Sequence, residues 1–152
     1  VRNVLVIDCD VHQGNGTATI FENDSEVFTF SMHGEKNYPF HKPPSDLDIG
    51  LADGTGNHTY TETLGRALDN ILKQFEPDIV FYLGGIDPLE TDHFGRLSLN
   101  KKGLTAREEI VIKRIINESI PLVLLLSGGY APTLQQTVEA HAVMYQVAKR
   151  FI

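Results

Sequence analysis

A run of aliphatic residues turns abruptly polar in Val4-Leu5-Val6-Ile7-Asp8-Cys9-Asp10-Val11-His12-Gln13-Gly14-Asn15-Gly16-Thr17. The first half has the continuous apolar character of a strand that is buried on both faces of a parallel sheet. Because alternate residues of an extended chain point to the same side, Asp8, Asp10 and His12 are predicted to project together beyond the end of this strand, where open α/β sheets bind ligands. Two carboxylates and an imidazole favour a cation site, and an Asp-rich turn is the simpler alternative.

Length and composition limit the class of protein. The 152 residues fit one domain, and 22% charged with 41% hydrophobic residues is an ordinary globular balance. The net charge of −7 argues against direct nucleic-acid binding, since phosphates need a basic surface. The single cysteine excludes an internal disulfide framework and predicts a reducing, cytoplasmic location. No apolar run approaches the ~20 residues of a membrane span.

Strands that alternate with helices predict the fold class. Apolar runs indicate strands over residues 4–9, 27–31, 79–83 and 121–126. Helical patterns cover residues 13–23 and 60–75, begin near Thr105, and begin again at a capping box formed by Thr133 and Gln136. The last helix carries Leu134, Val138, Ala142 and Tyr145 on one face. This order predicts βαβ units and a three-layer α/β/α fold with a mainly parallel sheet.

One long segment is predicted to be irregular. Residues 33–57 lack a periodic pattern, and so long a loop is usually functional, with a surface excursion as the alternative.

The chain has no Met at its start and enters a predicted central strand almost at once. We therefore expect residues 1–152 to be a single domain fragment. Its exposed sheet edge would be covered by the missing N-terminal part of the domain, by a complementary chain or by self-association.

Two further strands are predicted to end in polar, glycine-bearing loops. These loops are Gly84-Gly85-Ile86-Asp87-Pro88 and Ser127-Gly128-Gly129-Tyr130. Since the carboxyl ends of parallel strands lie side by side, Asp87 can join Asp10 and His12 as a third ligand of a hydrolytic Zn²⁺. A Tyr130 hydroxyl nearby could donate to a developing oxyanion. The simpler alternatives are an Asp-Pro turn and a packing aromatic, and Ser127 is a weak nucleophile candidate because it lacks a G-x-S-x-G turn.

Two other families also place acids at strand ends. Asp8-Cys9-Asp10-Val11 fits the D-x-D-x-[TV] start of haloacid-dehalogenase-like phosphatases. Those proteins place a Ser- or Thr-ended strand before a late acidic pair, whereas here Ser127 follows Asp87. A response-regulator receiver needs a Lys after its last strand, where this chain has Ser127-Gly128-Gly129-Tyr130. Both families therefore fail on residue order or identity.

The assembled motifs resemble the histone deacetylase superfamily, most of all its bacterial and plant-type members. In family order, the matching pieces are residues 8–17, Ser31-Met32-His33, Gly85-Ile86-Asp87-Pro88-Leu89, Gly103-Leu104 with Arg107, and Ser127-Gly128-Gly129-Tyr130. The resemblance implies an arginase-like α/β/α domain of which this chain is the later part. It also implies a deacetylase that acts on acetyl-lysine in histones or other proteins, or on acetylated polyamines.

The resemblance also assigns roles to individual residues. It implies a catalytic Zn²⁺ held by Asp10, His12 and Asp87, and an oxyanion stabilised by Tyr130. It implies a buried monovalent cation, K⁺, at Asp8 together with Asp10, His12, Ser31 and the Met32 backbone. Phe40 is expected to line an acyl-lysine tunnel. The D-x-D-x-H order favours one catalytic metal over the two Mn²⁺ of an arginase, which would show D-x-H-x-D.

The chain departs from the family pattern at the general base. The family uses a His-His pair that precedes the strand at which this chain begins. Five further histidines come too late and are isolated from one another: His33, His41, His58, His93 and His141. Gln13 also stands where many members have a second His. The alternative function is therefore a non-catalytic acyl-lysine or partner-binding module that lacks the His-His base.

Overall fold

The computed structural model describes residues 1–151, which form a parallel sheet with helices between the strands. The strands are β1 (Val4–Asp8), β2 (Val27–Gly34), β3 (Leu47–Leu51), β4 (Ile79–Leu83) and β5 (Leu122–Leu125). The helices are α1 (Asn15–Phe21), α2 (Asn57–Gln74), α3 (Lys101–Asn117) and α4 (Leu134–Ala148), and a 3₁₀ turn follows at Lys149–Phe151. The predicted α/β class with a parallel sheet is confirmed. No helix within residues 1–151 has both the length and the apolar character that crossing a membrane requires.

Strand β1 lies at the centre of the sheet, whose order is β3-β2-β1-β4-β5. It pairs with β2 and β4, so that Asp8 lies between Ser31 and Leu83 at the carboxyl ends of the strands. Leu5 and Ile7 of β1 are completely buried in the core. This environment explains why the aliphatic run at residues 4–7 is continuous rather than alternating.

Strand β3 was not predicted, because it lies inside the stretch taken for an irregular loop. Residues 47–51 alternate between buried or half-buried apolar positions and exposed positions, as expected for a strand at the edge of a sheet. Strand β2 also continues three residues beyond the predicted end at Ser31 and pairs with β3 from Phe30 to Gly34. The proline-rich segment at residues 39–44 masked this short alternation.

Helices α2 and α3 supply much of the core on which the sheet packs. The predicted apolar positions Tyr60, Leu64, Leu68 and Ile71 of α2 are all completely buried. Helix α3 begins at Lys101, four residues before the predicted start, because the Asn100 side chain accepts hydrogen bonds from the next turn's backbone N–H groups.

Helix α4 buries a different face from the apolar one marked by the sequence pattern. Its predicted N-cap is confirmed, since the Thr133 hydroxyl accepts from the backbone N–H of Gln136 at 3.2 Å. Leu134 and Val138, however, are 80% and 58% exposed. The core instead receives Val143, Met144 and Val147. The helix is apolar on two sides, and the residues described here cover only one of them.

Candidate metal centre

The candidate ligands Asp10 and His12 lie in the segment that follows β1. Two side-chain hydrogen bonds of the same kind shape this segment. The Asp10 backbone N–H donates to Oδ1 of Asp8 at 3.0 Å, and the His12 backbone N–H donates to Oδ1 of Asp10 at 3.0 Å. Such bonds over two residues are the ones by which aspartates stabilise turns. They bend the backbone just after Asp8, the last residue of β1, and fix the positions of Asp10 and His12 relative to it.

The structure brings Asp10, His12 and Asp87 together at the carboxyl ends of β1 and β4. Nδ1 of His12 lies 3.0 Å from Oδ1 of Asp10 and 3.2 Å from Oδ2 of Asp87. One possible ligand atom from each residue lies within 4.8 Å of the other two. In tetrahedral coordination with bonds of about 2.1 Å, ligand atoms are about 3.4 Å apart. Both the spacing and the nitrogen and oxygen donors therefore fit Zn²⁺.

Neighbouring groups orient both carboxylates. Oδ2 of Asp10 accepts from the Ser127 hydroxyl and from the Gly128 backbone N–H, each at 2.6 Å. Oδ1 of Asp87 accepts from the Val11 backbone N–H at 2.8 Å. Ser127 thus supports a ligand, which sequence reasoning missed when it considered this residue only as a nucleophile. The signal was its position directly after a strand that ends beside the acids.

Gly128 lets the loop after β5 approach the two carboxylates closely. A Cβ at this position would lie 2.2 Å from Oδ2 of Asp87 and 2.6 Å from Oδ2 of Asp10. Both distances are too short for any side chain, so glycine is required here by the packing of the ligands.

The charges of the three residues depend strongly on one another. Hydrogen bonds to Asp10 and Asp87 raise the pKa of His12 to about 10. Burial raises the pKa of Asp87 to about 6, against the opposing effect of its contact with His12. Burial also acts to raise the pKa of Asp10, but hydrogen bonds from His12 and Ser127 outweigh it and hold this pKa below its usual range. The imidazole nitrogen therefore sits where two carboxylates favour a positive charge.

Asp8 lies deeper than the candidate zinc ligands and beside Ser31. The Asp8 side chain is nearly inaccessible to solvent, and burial raises its pKa to about 7. Asp8 and Ser31 are paired across β1 and β2, and the Ser31 hydroxyl accepts from the Gly14 backbone N–H at 3.2 Å. Met32, the next residue of β2, is completely buried. The predicted cation-site residues are thus neighbours in the structure.

Gln13 connects the segment after β1 to the stretch that precedes β3. Its amide Nε2 donates to the Pro43 carbonyl at 2.6 Å and to Oδ1 of Asp48 at 2.9 Å. Gln13 is buried. It therefore connects the segment after β1 both to the segment before β3 and to β3 itself.

Tyr130 stands near this cluster but outside it. Its backbone N–H donates to Oδ2 of Asp92 at 2.6 Å, and its ring packs edge-on against Phe94 with centroids 5.0 Å apart. Oδ1 of Asp92 accepts from the backbone N–H groups of Phe94 and Gly95, so Asp92 fastens both loops. Sequence reasoning missed Asp92, although an Asp followed by Gly three residues later is a turn signal. Phe40, expected to line a tunnel, is 93% exposed.

Comparisons with known proteins identify the family of this chain. Residues 1–145 match the histone deacetylase domain family. An uncharacterized protein of Picosynechococcus sp. is 40% identical over 148 residues, which cover 97% of this chain and 49% of that protein. Histone deacetylase 2 of Arabidopsis thaliana is 35% identical over 133 residues, which cover 86% of this chain and 34% of that protein.

Solved structures show the same fold. An HDAC homolog from Aquifex aeolicus is similar with a TM-score of 0.82 at 22% identity, over 97% of this chain and 42% of that chain. The predicted arginase- and deacetylase-like α/β architecture is therefore confirmed. The chain spans half or less of the length of these relatives. Because the family match covers nearly all of its residues, the chain belongs to the histone deacetylase family.

Proposed function

We propose that the protein containing this chain is a Zn²⁺-dependent deacetylase that hydrolyses the amide of acetyl-lysine, in histones or other proteins, or of an acetylated polyamine. The observation that carries the proposal is the convergence of Asp10, His12 and Asp87, whose ligand atoms lie within 4.8 Å of one another. Membership of the histone deacetylase family supports the same class of reaction. Zn²⁺ bound there would supply Lewis acidity to the amide carbonyl and lower the pKa of water.

The residues around the cluster have distinct tasks in this reaction. Ser127 and Gly128 hold Asp10 in place, and the Val11 backbone holds Asp87, so both carboxylates are oriented before substrate arrives. The Tyr130 hydroxyl donates a hydrogen bond to the oxyanion that develops on the carbonyl oxygen. Contact with Phe94 restricts the orientation of the Tyr130 ring.

The general base belongs to a different part of the protein in this proposal. In the family this chain resembles, a His-His pair lies upstream of the strand that corresponds to β1, so we place residues 1–152 in the later part of the catalytic domain. The competing function is an acyl-lysine or partner-binding module that holds the metal but lacks the base. General acid–base participation typically contributes 10²–10⁴-fold to a rate.

One experiment separates these two functions. The full-length protein is purified, its Zn²⁺ content is measured, and it is assayed against an acetyl-lysine peptide and an acetylated polyamine. Zn²⁺ at one equivalent together with turnover supports the enzyme. One equivalent of Zn²⁺ with peptide binding and no turnover supports the binding module. Absence of bound metal contradicts the proposed site.

A monovalent cation, K⁺, is proposed beside Asp8. Three candidate oxygen sources lie around the carboxyl end of β1: the Asp8 carboxylate, and the Ser31 hydroxyl and Met32 carbonyl of the neighbouring β2. A buried carboxylate requires compensation by hydrogen bonds or an opposite charge. The contact from the Asp10 N–H supplies part of it, and the cation would supply the remainder.

The exposed side of β5 and α4 is proposed to be covered by further strands of the same domain. Within residues 1–151, β5 pairs with β4 alone, and both its last residue Leu125 and the following Leu126 are exposed. The relatives are about twice as long as this chain or longer, which provides enough additional chain for that role. A complementary chain or a second copy is the alternative partner, and the mass in solution distinguishes them.

A further inference from the structure

We propose that Arg107 is a positioning residue that sets the distance between the two ligand-bearing loops of the metal centre. The inference rests on the proposed function and adds a residue to its machinery. Arg107 lies in α3 and is completely buried. Its Nη1 donates to the Cys9 carbonyl at 3.2 Å and to the Gly85 carbonyl at 2.6 Å. Cys9 is bonded directly to Asp10, and Gly85 lies two residues before Asp87.

The two carbonyls need a donor because the strand ladder ends just before them. The pairing of β1 with β4 ends at Asp8 and Leu83, and the Cys9 N–H still donates to the Leu83 carbonyl at 3.0 Å. Beyond this point the loops leave the ladder and carry the ligands to the metal centre. A buried carbonyl without a partner is costly, so both carbonyls must be satisfied from elsewhere. One guanidinium nitrogen, with its two hydrogens, bridges them.

The other two guanidinium nitrogens of Arg107 donate to Glu108, which also accepts from Tyr82 of β4. Oε1 of Glu108 accepts from Arg107 Nε at 3.2 Å and from Nη2 at 2.5 Å. Oε2 of Glu108 accepts from the Tyr82 hydroxyl at 2.7 Å. The carboxylate therefore compensates the buried charge and fixes the plane of the guanidinium. Because that plane is fixed, Nη1 is held rigidly toward the two loops.

This arrangement does more than an isolated ion pair in the core would. An Arg107–Glu108 ion pair could form at many positions in the interior. Only at this position does the guanidinium also reach two carbonyls that follow separate strands. Those two carbonyls belong to the loops that carry Asp10 and Asp87. Partners that orient metal ligands typically change metal affinity by about 10–100-fold when they are removed. The same range is expected for Arg107.

The test compares three variants of the full-length protein. Arg107→Met combined with Glu108→Gln removes both buried charges together, which avoids leaving one of them unpaired. Arg107→Lys keeps a cation for Glu108 but lacks the planar fork that reaches the carboxylate and both carbonyls at once. Tyr82→Phe is the matched control, since it removes one hydrogen bond of the same network and leaves both carbonyl contacts. Melting temperature, Zn²⁺ affinity by chelator competition and the Co²⁺ absorption spectrum are measured for each.

We expect the double variant to bind Zn²⁺ about 10–100-fold more weakly, with altered Co²⁺ absorption bands. Arg107→Lys should show the same change in a smaller degree, and it decides the question if the double variant does not fold. Tyr82→Phe should lower the melting temperature and leave affinity and spectrum unchanged. Wild-type Zn²⁺ affinity and Co²⁺ spectrum in a folded Arg107 variant would overturn the role of Arg107 but not the proposed function. An equal loss of Zn²⁺ affinity in Tyr82→Phe would do the same. A wild-type protein that binds no metal overturns the proposed function as well.

Discussion

Strands β1 and β5 are made of similar aliphatic residues but meet different surroundings. In β1, Leu5 and Ile7 are completely buried and the strand is paired on both sides. In β5 the residues are at most half-buried, and Leu126 just beyond it is 57% exposed. Within residues 1–151, the centre of the sheet is therefore completed by its own neighbours, and the β5 edge is not. We call β1 and β4 with the segments that follow them the centre, and β5 with the segment that follows it the edge.

The candidate site extends across both parts. Asp10, His12 and Asp87 follow the central strands β1 and β4, and the loop with Tyr130 follows β5. Metal binding is therefore expected to depend on the ligands of the centre, with Ser127 and Gly128 of the edge orienting Asp10, and turnover to depend also on Tyr130 of the edge. Substitutions in the two parts should therefore affect metal binding and turnover differently.

The largest effect is expected from Asp87→Asn, which removes a negatively charged ligand from the centre. The variant should lose both bound Zn²⁺ and deacetylation, measured by metal analysis and by a peptide assay on the full-length protein. Asp24→Asn is the control, because the exposed Asp24 side chain accepts one hydrogen bond through Oδ1, from the Glu26 backbone N–H, and an Asn oxygen can still accept it. One Zn²⁺ and normal turnover in Asp87→Asn would show that the assignment is wrong.

Tyr130→Phe tests the edge without touching the centre. Loss of a single oxyanion donor typically lowers kcat by about 10²–10³-fold. The Phe94 contact is retained by a phenylalanine, so Zn²⁺ content should stay at one equivalent. Steady-state kinetics and metal analysis on the same preparation check both statements. A wild-type kcat would remove Tyr130 from the proposed mechanism.

Gly128→Ala is predicted to disturb the junction between the two parts. The added methyl group would meet both ligand carboxylates, at 2.2 Å and 2.6 Å, and must displace at least one of them. Zn²⁺ affinity should fall by about 10–100-fold in a chelator competition. Gly65→Ala in α2 is the matched control, since nothing lies within 4 Å of its added Cβ. Equal affinities in the two variants would refute the close approach of this loop.

Asp8→Ala is expected to lower the stability of the centre. The change leaves the buried Asp10 N–H without its acceptor, which costs about 1–3 kcal/mol, and it removes the proposed K⁺ ligand. Thermal denaturation should show a lower melting temperature and no remaining response to K⁺. Asp24→Ala is a useful control, because exposed Asp24 makes the same hydrogen bond over two residues, to the Glu26 N–H. An unchanged melting temperature in Asp8→Ala, with or without K⁺, would contradict this role.

The centre of the molecule was predictable from the sequence because its signals are local. The aliphatic run, the alternation of Asp8, Asp10 and His12, and the glycines before Asp87 all report on short segments. The family resemblance added the monovalent-cation residues, which the structure places side by side. The α/β class with a parallel sheet follows from the order of strands and helices, and the structure confirms it.

The features that could not be predicted from the sequence have a different physical origin. Arg107 meets Cys9 and Gly85 from 98 and 22 residues away, and no local pattern announces such contacts. Helix α4 is apolar on two sides, so periodicity could not tell which side the described residues cover. The short strand β3 was not predicted because the prolines before it indicated an irregular loop. For Arg107 and α4 the deciding contact lies between elements rather than within one.

The most direct test of the division between centre and edge uses residues 1–152 purified alone. Mass in solution, Zn²⁺ content and deacetylation of an acetyl-lysine peptide are measured on one preparation. The three metal ligands are all present, so we predict retained Zn²⁺ binding, association of the chain through its open edge, and no turnover. A monomeric, cooperatively folded and active product would contradict the proposal that this part of the domain needs a partner.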